Sequence, residues 1–189
     1  MMEEYKFEEE YWDKGNIWFE ERKHYSYAKF MGIKEVLWSF DVENKSILDI
    51  GGGPCSMLLK CRNLKRGKVV DPIEWPVWVK ERYKHNKIEL QTAPGEDIVE
   101  EGWDEVWIYN CMQHAIDAEK LILKAKQSAK VLRIFEWIDV PSHKGHPIEL
   151  TEDRLNKWIK AKGKTRSFDE WHTTGLLGKA YYGAFAYKE

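Results

Sequence analysis

The chain has 189 residues, 43% hydrophobic and 33% charged, with 30 basic against 32 acidic side chains and ten tryptophans. That length fits one domain of ordinary size, and burying roughly 70% of the unfolded surface gives a core that needs no metal or disulfide staples. Aromatic residues make up 14%, against 13 glycines and 6 prolines, the reverse of a disordered composition. The formal net charge of −2 argues against a protein whose main task is neutralising phosphates, although basic residues gather at 60–68 and 80–87.

Three cysteines, Cys55, Cys61 and Cys111, are odd in number and form no C-x-x-C pair, so neither a disulfide framework nor a zinc knuckle is expected. Residues 1–10 are acidic where a secretory signal would be basic and then apolar, and no apolar run approaches the roughly 20 residues that span a bilayer. A reducing, cytoplasmic setting is the expectation.

In chain order, residues 1–44 read as a helical cap, with Trp12, Trp18, Tyr27, Phe30 and Val36 at loosely helical spacing. The segment 46–50 is a short apolar strand ending in Gly51-Gly52-Gly53, after which 56–61 resumes a helical pattern. A second strand over 67–71 is closed by Pro72 and followed by a helix over 75–83; a weaker third strand spans 87–91. Residues 104–109 form a fourth, with a helix over 117–129 behind it, and 131–138 form a fifth, apolar enough to be buried on both faces. This alternation implies right-handed crossovers and a mostly parallel sheet. Thr151 caps a helix to about residue 161, and the last strands, 165–168 and 181–187, have no helix between them, which predicts an antiparallel hairpin at the sheet edge. The fold class is α/β, a three-layer Rossmann-like sandwich with a seven-stranded, mostly parallel sheet, and residues 1–189 form one domain.

Asp49-Ile50-Gly51-Gly52-Gly53-Pro54 sits where the first strand hands over to the next element, the place at which open α/β sheets bind nucleotides. Asp71 lies twenty residues beyond Gly51 at the end of the second strand, where a carboxylate accepts hydrogen bonds from ribose hydroxyls. A pyrophosphate on this turn would be repelled by Asp49, whereas a ligand carrying an ammonium and a sulfonium would be attracted.

The D-x-G-x-G pattern of Asp49, Gly51 and Gly53 resembles motif I of the class I S-adenosylmethionine-dependent methyltransferases, with Cys55 where that family keeps a third small residue. Val69-Val70-Asp71 resembles its ribose motif, residues 93–98 its adenine-side loop, and 107–114 its fourth strand and catalytic mouth. The resemblance covers 47 to the carboxyl terminus and includes the closing hairpin. It implies that Asp49, Gly51 and Gly53 hold the methionine end of S-adenosylmethionine, that Asp71 holds the ribose, and that Asp97 meets the adenine edge, with Glu96 either sharing that task or holding the loop. Asn110, which ends the fourth strand, is grouped with the cofactor contacts.

Methyl transfer asks a protein to align the acceptor, exclude water and, for a hydroxyl, remove a proton. His114, four residues past the fourth strand, is the general-base candidate, set against a packing role at a helix start. Glu136 belongs either at the site mouth or in a structural ion pair. His143 and His146 could clasp a metal with Glu136 or Asp139, but their spacing favours a plain loop, and no metal is expected. Trp12, Trp18 and Tyr25 are candidates for a lid, or for apolar faces packed on the sheet. Asn110 opens neither an Asn/Asp-Pro-Pro-Tyr/Phe signature nor a Pro-Cys nucleophile motif, and no large insertion comes after the fourth or fifth strand. The expected acceptor is a small metabolite or sugar-like molecule. Alternatives are an RNA- or DNA-directed enzyme, a non-catalytic partner subunit that binds S-adenosylmethionine and, last, an NAD-dependent oxidoreductase.

Overall fold

The computed structural model describes residues 6–13 and 16–187. Helices α1 (Lys6–Asp13) and α2 (Ile17–Met31) come first. The expected helical cap to residue 44 stops at Met31, because Gly32 turns left-handed at φ 71° and returns its N–H to the Ala28 and Lys29 carbonyls. Strands β1 (Lys34–Val36) and β2 (Ser39–Ile50) come next as an antiparallel hairpin. Its two-residue turn places Leu37 and Trp38 at φ 50° and 63°. Such turns normally carry Asn or Gly, so nothing in this dipeptide announced a hairpin.

From β2 the chain makes two single-turn 3₁₀ segments, Gly53–Cys55 and Met57–Lys60, and enters β3 (Cys61–Asp71). The helix expected over 56–61 is absent. Its residues are too few for a crossover helix, and β3 begins early to pair with the long β2 from Phe40 onward. Then come α3 (Val77–His85), β4 (Ile88–Thr92), β5 (Trp103–Tyr109), α4 (Ala118–Ser128), β6 (Ala129–Ile138), α5 (Glu152–Ile159), β7 (Lys164–Glu170), α6 (Trp171–Thr174) and β8 (Leu176–Ala186). Asp117 and Thr151 cap α4 and α5 by accepting from the Lys120 and Arg154 amides.

The sheet runs β4-β3-β2-β5-β6-β8-β7, with β1 as an eighth strand on β2. β4, β3, β2, β5 and β6 pair in parallel, while β8 is antiparallel to both β6 and β7. This is the expected α/β sheet with its antiparallel closing hairpin. Strand periodicity sorts the core into two layers. Ile47, Val69, Trp107 and Phe135 meet Tyr27 and Met31 of α2 and Val79 and Tyr83 of α3 on one face. Leu48, Val70, Ile108 and Ile134 meet Leu121 and Ile122 of α4 and Leu155 of α5 on the other.

A buried ion pair fastens α2 to its face. Arg133 on β6 forks onto Glu105 of β5 through Nε at 2.6 Å and Nη2 at 2.9 Å, while its Nη1 donates to the Met31 and Gly32 carbonyls at 2.6 and 3.2 Å. Glu105 also accepts from Trp107 Nε1 at 2.9 Å and pairs with Lys45 at 3.1 Å, so its charge is fully compensated despite burial.

Leu37 is 84% exposed, so its left-handed backbone is strained without any packing to offset it. Leu37→Asn, which tolerates that conformation, should raise stability by about 1 kcal/mol, read as a shift of the urea midpoint.

Candidate functional site

The strand order changes direction between β2 and β5, and the crevice beyond their carboxyl ends is where open sheets take ligands. The glycine turn forms its floor. Gly51 has φ 72°, donates to the Val70 carbonyl at 2.8 Å, and lies so near Cys111 that a Cβ would come within 2.6 Å of Sγ. Gly53 has φ 58° and donates to Asp71 Oδ2 at 3.0 Å. Both conformations favour glycine, and at Gly51 the approach of Cys111 leaves no room for a side chain.

Side chains hold this turn where a helix would otherwise do so. Tyr83 OH accepts from the Ser56 amide at 2.9 Å and donates to the Gly53 carbonyl at 2.6 Å. Tyr109 OH accepts from the Met57 amide at 2.9 Å and donates to Asp49 Oδ2 at 2.7 Å, and the Ser56 hydroxyl donates to the same oxygen. Asp49 is fully buried. Burial lifts its carboxyl to about 7, the two hydroxyls pull it back, and Asp71 adds a smaller upward push.

A cleft opens above, lined by Gly51, Gly53, Asp71, Gly95, Glu96, Asn110 and His114, with Trp12 of α1 at its side. A Cβ on Gly53 would sit 3.6 Å from the Trp12 ring, and Trp12 meets Trp75 edge-on at 6.3 Å. Of the three lid candidates, Trp12 alone reaches the cleft. Trp18 is 59% exposed beneath Arg22, and Tyr25 packs on the hairpin turn, donating to the Trp38 carbonyl.

Among the expected site residues, Gly51, Gly53, Asp71, Glu96, Asn110 and His114 line the cleft, and Asp49, Asp97 and Glu136 do not. Asp49 lies behind the turn, where its carboxylate accepts from the Ser56 and Tyr109 hydroxyls. Asp97 points outward to Lys120 at 3.2 Å. Glu136, fully buried, accepts from the Cys111 and Met112 amides at 3.1 and 3.0 Å, anchoring the loop after β5. Burial lifts its carboxyl to about 8 against the pull of those bonds.

Asp71 is nearly sealed and accepts from the Gly53 and Ile73 amides and Trp75 Nε1, each at 3.0 Å; burial still lifts it to about 6. Glu96 Oε1 caps the entry to α4, accepting from the Ile116 and Asp117 amides at 2.8 and 3.0 Å. Asn110, at φ 50°, donates through Nδ2 to Glu20 of α2 at 3.1 Å. His114 packs against His146 with ring centroids 4.8 Å apart, and burial lowers it to about 4. His143 and His146 pair across a β-bridge. No group of three or more His, Cys, Asp or Glu side chains arranged to hold a metal ion occurs among the described residues.

Glu20 and Trp75 carried no signal in the sequence as site residues, and Gln113 carried one only as part of the 107–114 segment. Each reaches the site through another side chain from an element whose placement depends on the folded sheet.

Neither a family model nor a curated protein matches the sequence. Solved structures do. A methyltransferase from Haloferax volcanii described as putative, in complex with the Trm112 methyltransferase activator, superposes with a TM-score of 0.70 over 98% of both chains at 11% identity. A methyltransferase dependent on S-adenosylmethionine from Thermotoga maritima gives 0.60 over 97% of this chain and 91% of its own at 14% identity. Another from Aquifex aeolicus gives 0.54 over 84% and 88% at 16% identity. The chain has the fold of the S-adenosylmethionine-dependent methyltransferases. Within this methyltransferase fold, the first crossover is reduced to two 3₁₀ turns, and the tyrosine and serine hydroxyls take over the amides beyond the glycine turn.

The raised carboxyls give a pH signature. Glu136 keeps its proton in the folded protein up to about pH 8, while the unfolded chain releases it near 4. Stability contributed by this group is therefore fully present below the unfolded value and falls as pH rises from there to about 8. Denaturation midpoints between pH 5 and 8.5 should fall less steeply in Glu136→Gln, which keeps the acceptor for Cys111 and Met112, than in the parent protein.

Proposed function

We propose that the protein is an S-adenosylmethionine-dependent methyltransferase acting on a small-molecule acceptor. The observation that carries this reading is the charge of the cleft: its described lining includes Asp71 and Glu96 and no lysine or arginine. Such a wall suits a cationic sulfonium ligand and disfavours a diphosphate. A pyrophosphate would also need amides at a helix start after the glycines. Here no such helix is formed, and the Ser56, Met57 and Leu58 amides are already taken by the Tyr83, Tyr109 and Ser56 hydroxyl oxygens.

When bound, S-adenosylmethionine supplies a methyl group made electrophilic by its sulfonium. The chain's own residues would do the rest. An ionised carboxylate has about four acceptor sites, and Asp71 has three in use, leaving one on Oδ2 for a ribose hydroxyl. Gly51 and Gly53 let the ligand lie against backbone, and Trp12 shields it from water. Glu96 is assigned to holding the loop, and Asp97 is set aside as an adenine contact. Asn110 and His114 face the acceptor side.

The basic clusters at 60–68 and 80–87 give little support to a nucleic-acid acceptor. Lys68 pairs with Glu89 and Glu100, Arg66 with the same two, Lys80 with Glu74, and Arg82 with Glu21. Charges so compensated release few counterions on binding. A protein partner is the second reading, favoured by Leu37 and Trp38 at 84% and 80% exposure on the hairpin tip and by the activator bound to the Haloferax neighbour.

Calorimetry should show binding of S-adenosylmethionine and S-adenosylhomocysteine and none of NADH. Asp71→Asn should weaken S-adenosylhomocysteine at least about tenfold, the scale of one charge-assisted hydrogen bond. Tight NADH binding without S-adenosylmethionine binding would reverse the assignment.

A further inference from the structure

The titratable side chains that line the cleft among the described residues are Asp71, Glu96, Cys111 and His114, and each is already engaged. Asp71 is held by two amides and an indole, and Glu96 by the two amides before α4. The Cys111 thiol donates to the Ile50 carbonyl at 3.2 Å. His114 Nε2 lies 3.3 Å from Gln113 Nε2, which also donates to Asn110 Oδ1 at 3.4 Å. These contacts form a polar chain from Glu20 through Asn110 and Gln113 to His114, of which Asn110 and His114 line the cleft. Glu136, the other candidate base, is turned onto the loop backbone outside the cleft.

A hydroxyl acceptor needs a base to remove its proton as it attacks, and such a base works best with a pKa near the operating pH. Burial pulls His114 down to about 4, far from that point. An acceptor that arrives as an anion, such as a thiolate or carboxylate, meets an acidic wall with no cation in its described lining. A neutral amine satisfies both constraints: it attacks with its own lone pair and gives up a proton only after it has become a cation.

We infer that the acceptor atom is an amine nitrogen of a small molecule, held by the second lone pair of Asn110 Oδ1, whose amide is oriented by Glu20 and Gln113. This rests on the proposed cofactor. The nitrogen lone pair forms the N–C bond as the S–C bond breaks, both electrons of that bond pass to sulfur, and the new ammonium releases its proton to water. Gln113 and Glu20 are positioning residues.

The test uses the full chain with S-adenosylmethionine and three matched panels: aliphatic amines, imidazoles and anilines; alcohols and catechols, each with and without magnesium; and thiols. S-adenosylhomocysteine is read by mass spectrometry. Expected is turnover of amines at least about tenfold above the other panels. The rise of kcat/KM with pH should have a midpoint that tracks the pKa of each amine and is unchanged in His114→Asn. Turnover of alcohols, catechols or thiols with amines at background overturns the inference. So does a midpoint that stays fixed as the amine changes, or S-adenosylmethionine binding by calorimetry with no amine methylated. Absence of S-adenosylmethionine binding removes the proposed function itself, so the two failures are distinct.

Discussion

The site depends on a buried carboxylate. Asp49 draws the Ser56 and Tyr109 hydroxyls onto one oxygen, Tyr109 in turn holds the Met57 amide, and Tyr83 clamps the Gly53 carbonyl to the Ser56 amide. Polar groups left unpaired in the interior cost about 1–3 kcal/mol each, so this set of mutual bonds keeps a sharp turn in place without a helix behind it. The glycines provide the conformation, and Asp49 with its hydroxyl partners makes it the stable one.

The amino-terminal helices complete the cleft. α2 lies against β6 and β8 and reaches the first 3₁₀ turn, its end held by Arg133 and its flank packed on Tyr109 and Phe135 through Tyr27. That placement brings Glu20 to Asn110 and Trp12 to Gly53. Packing on the sheet and shaping the cleft are thus one task of the amino-terminal segment.

Chemistry at the cleft is dominated by groups that hold structure. Asp71 and Glu96 commit much of their acceptor capacity to backbone amides, which orders the two loops a ligand must touch. Preorganisation of this kind favours binding and alignment, the main requirements of an in-line displacement at an activated carbon. It leaves little for proton abstraction, and the inferred amine acceptor follows from that division of labour.

The parallel sheet, the glycine turn, Asp71 at a strand end and the closing hairpin were legible in the sequence, because period-two burial, glycine runs and the lack of a helix between the last strands are local signals. The cap at Thr151 was legible for the same reason. Only tertiary structure decided that Asp49, Asp97 and Glu136 stand outside the cleft, since a residue's distance along a strand does not say which way its side chain is drawn or which amides reach it first. The hairpin at Leu37-Trp38 and the missing helix after Pro54 were likewise invisible. Both result from long-range pairing of β2 with β1 and β3 overriding local preference, and sheet pairing is a property of two segments that no single window of sequence contains.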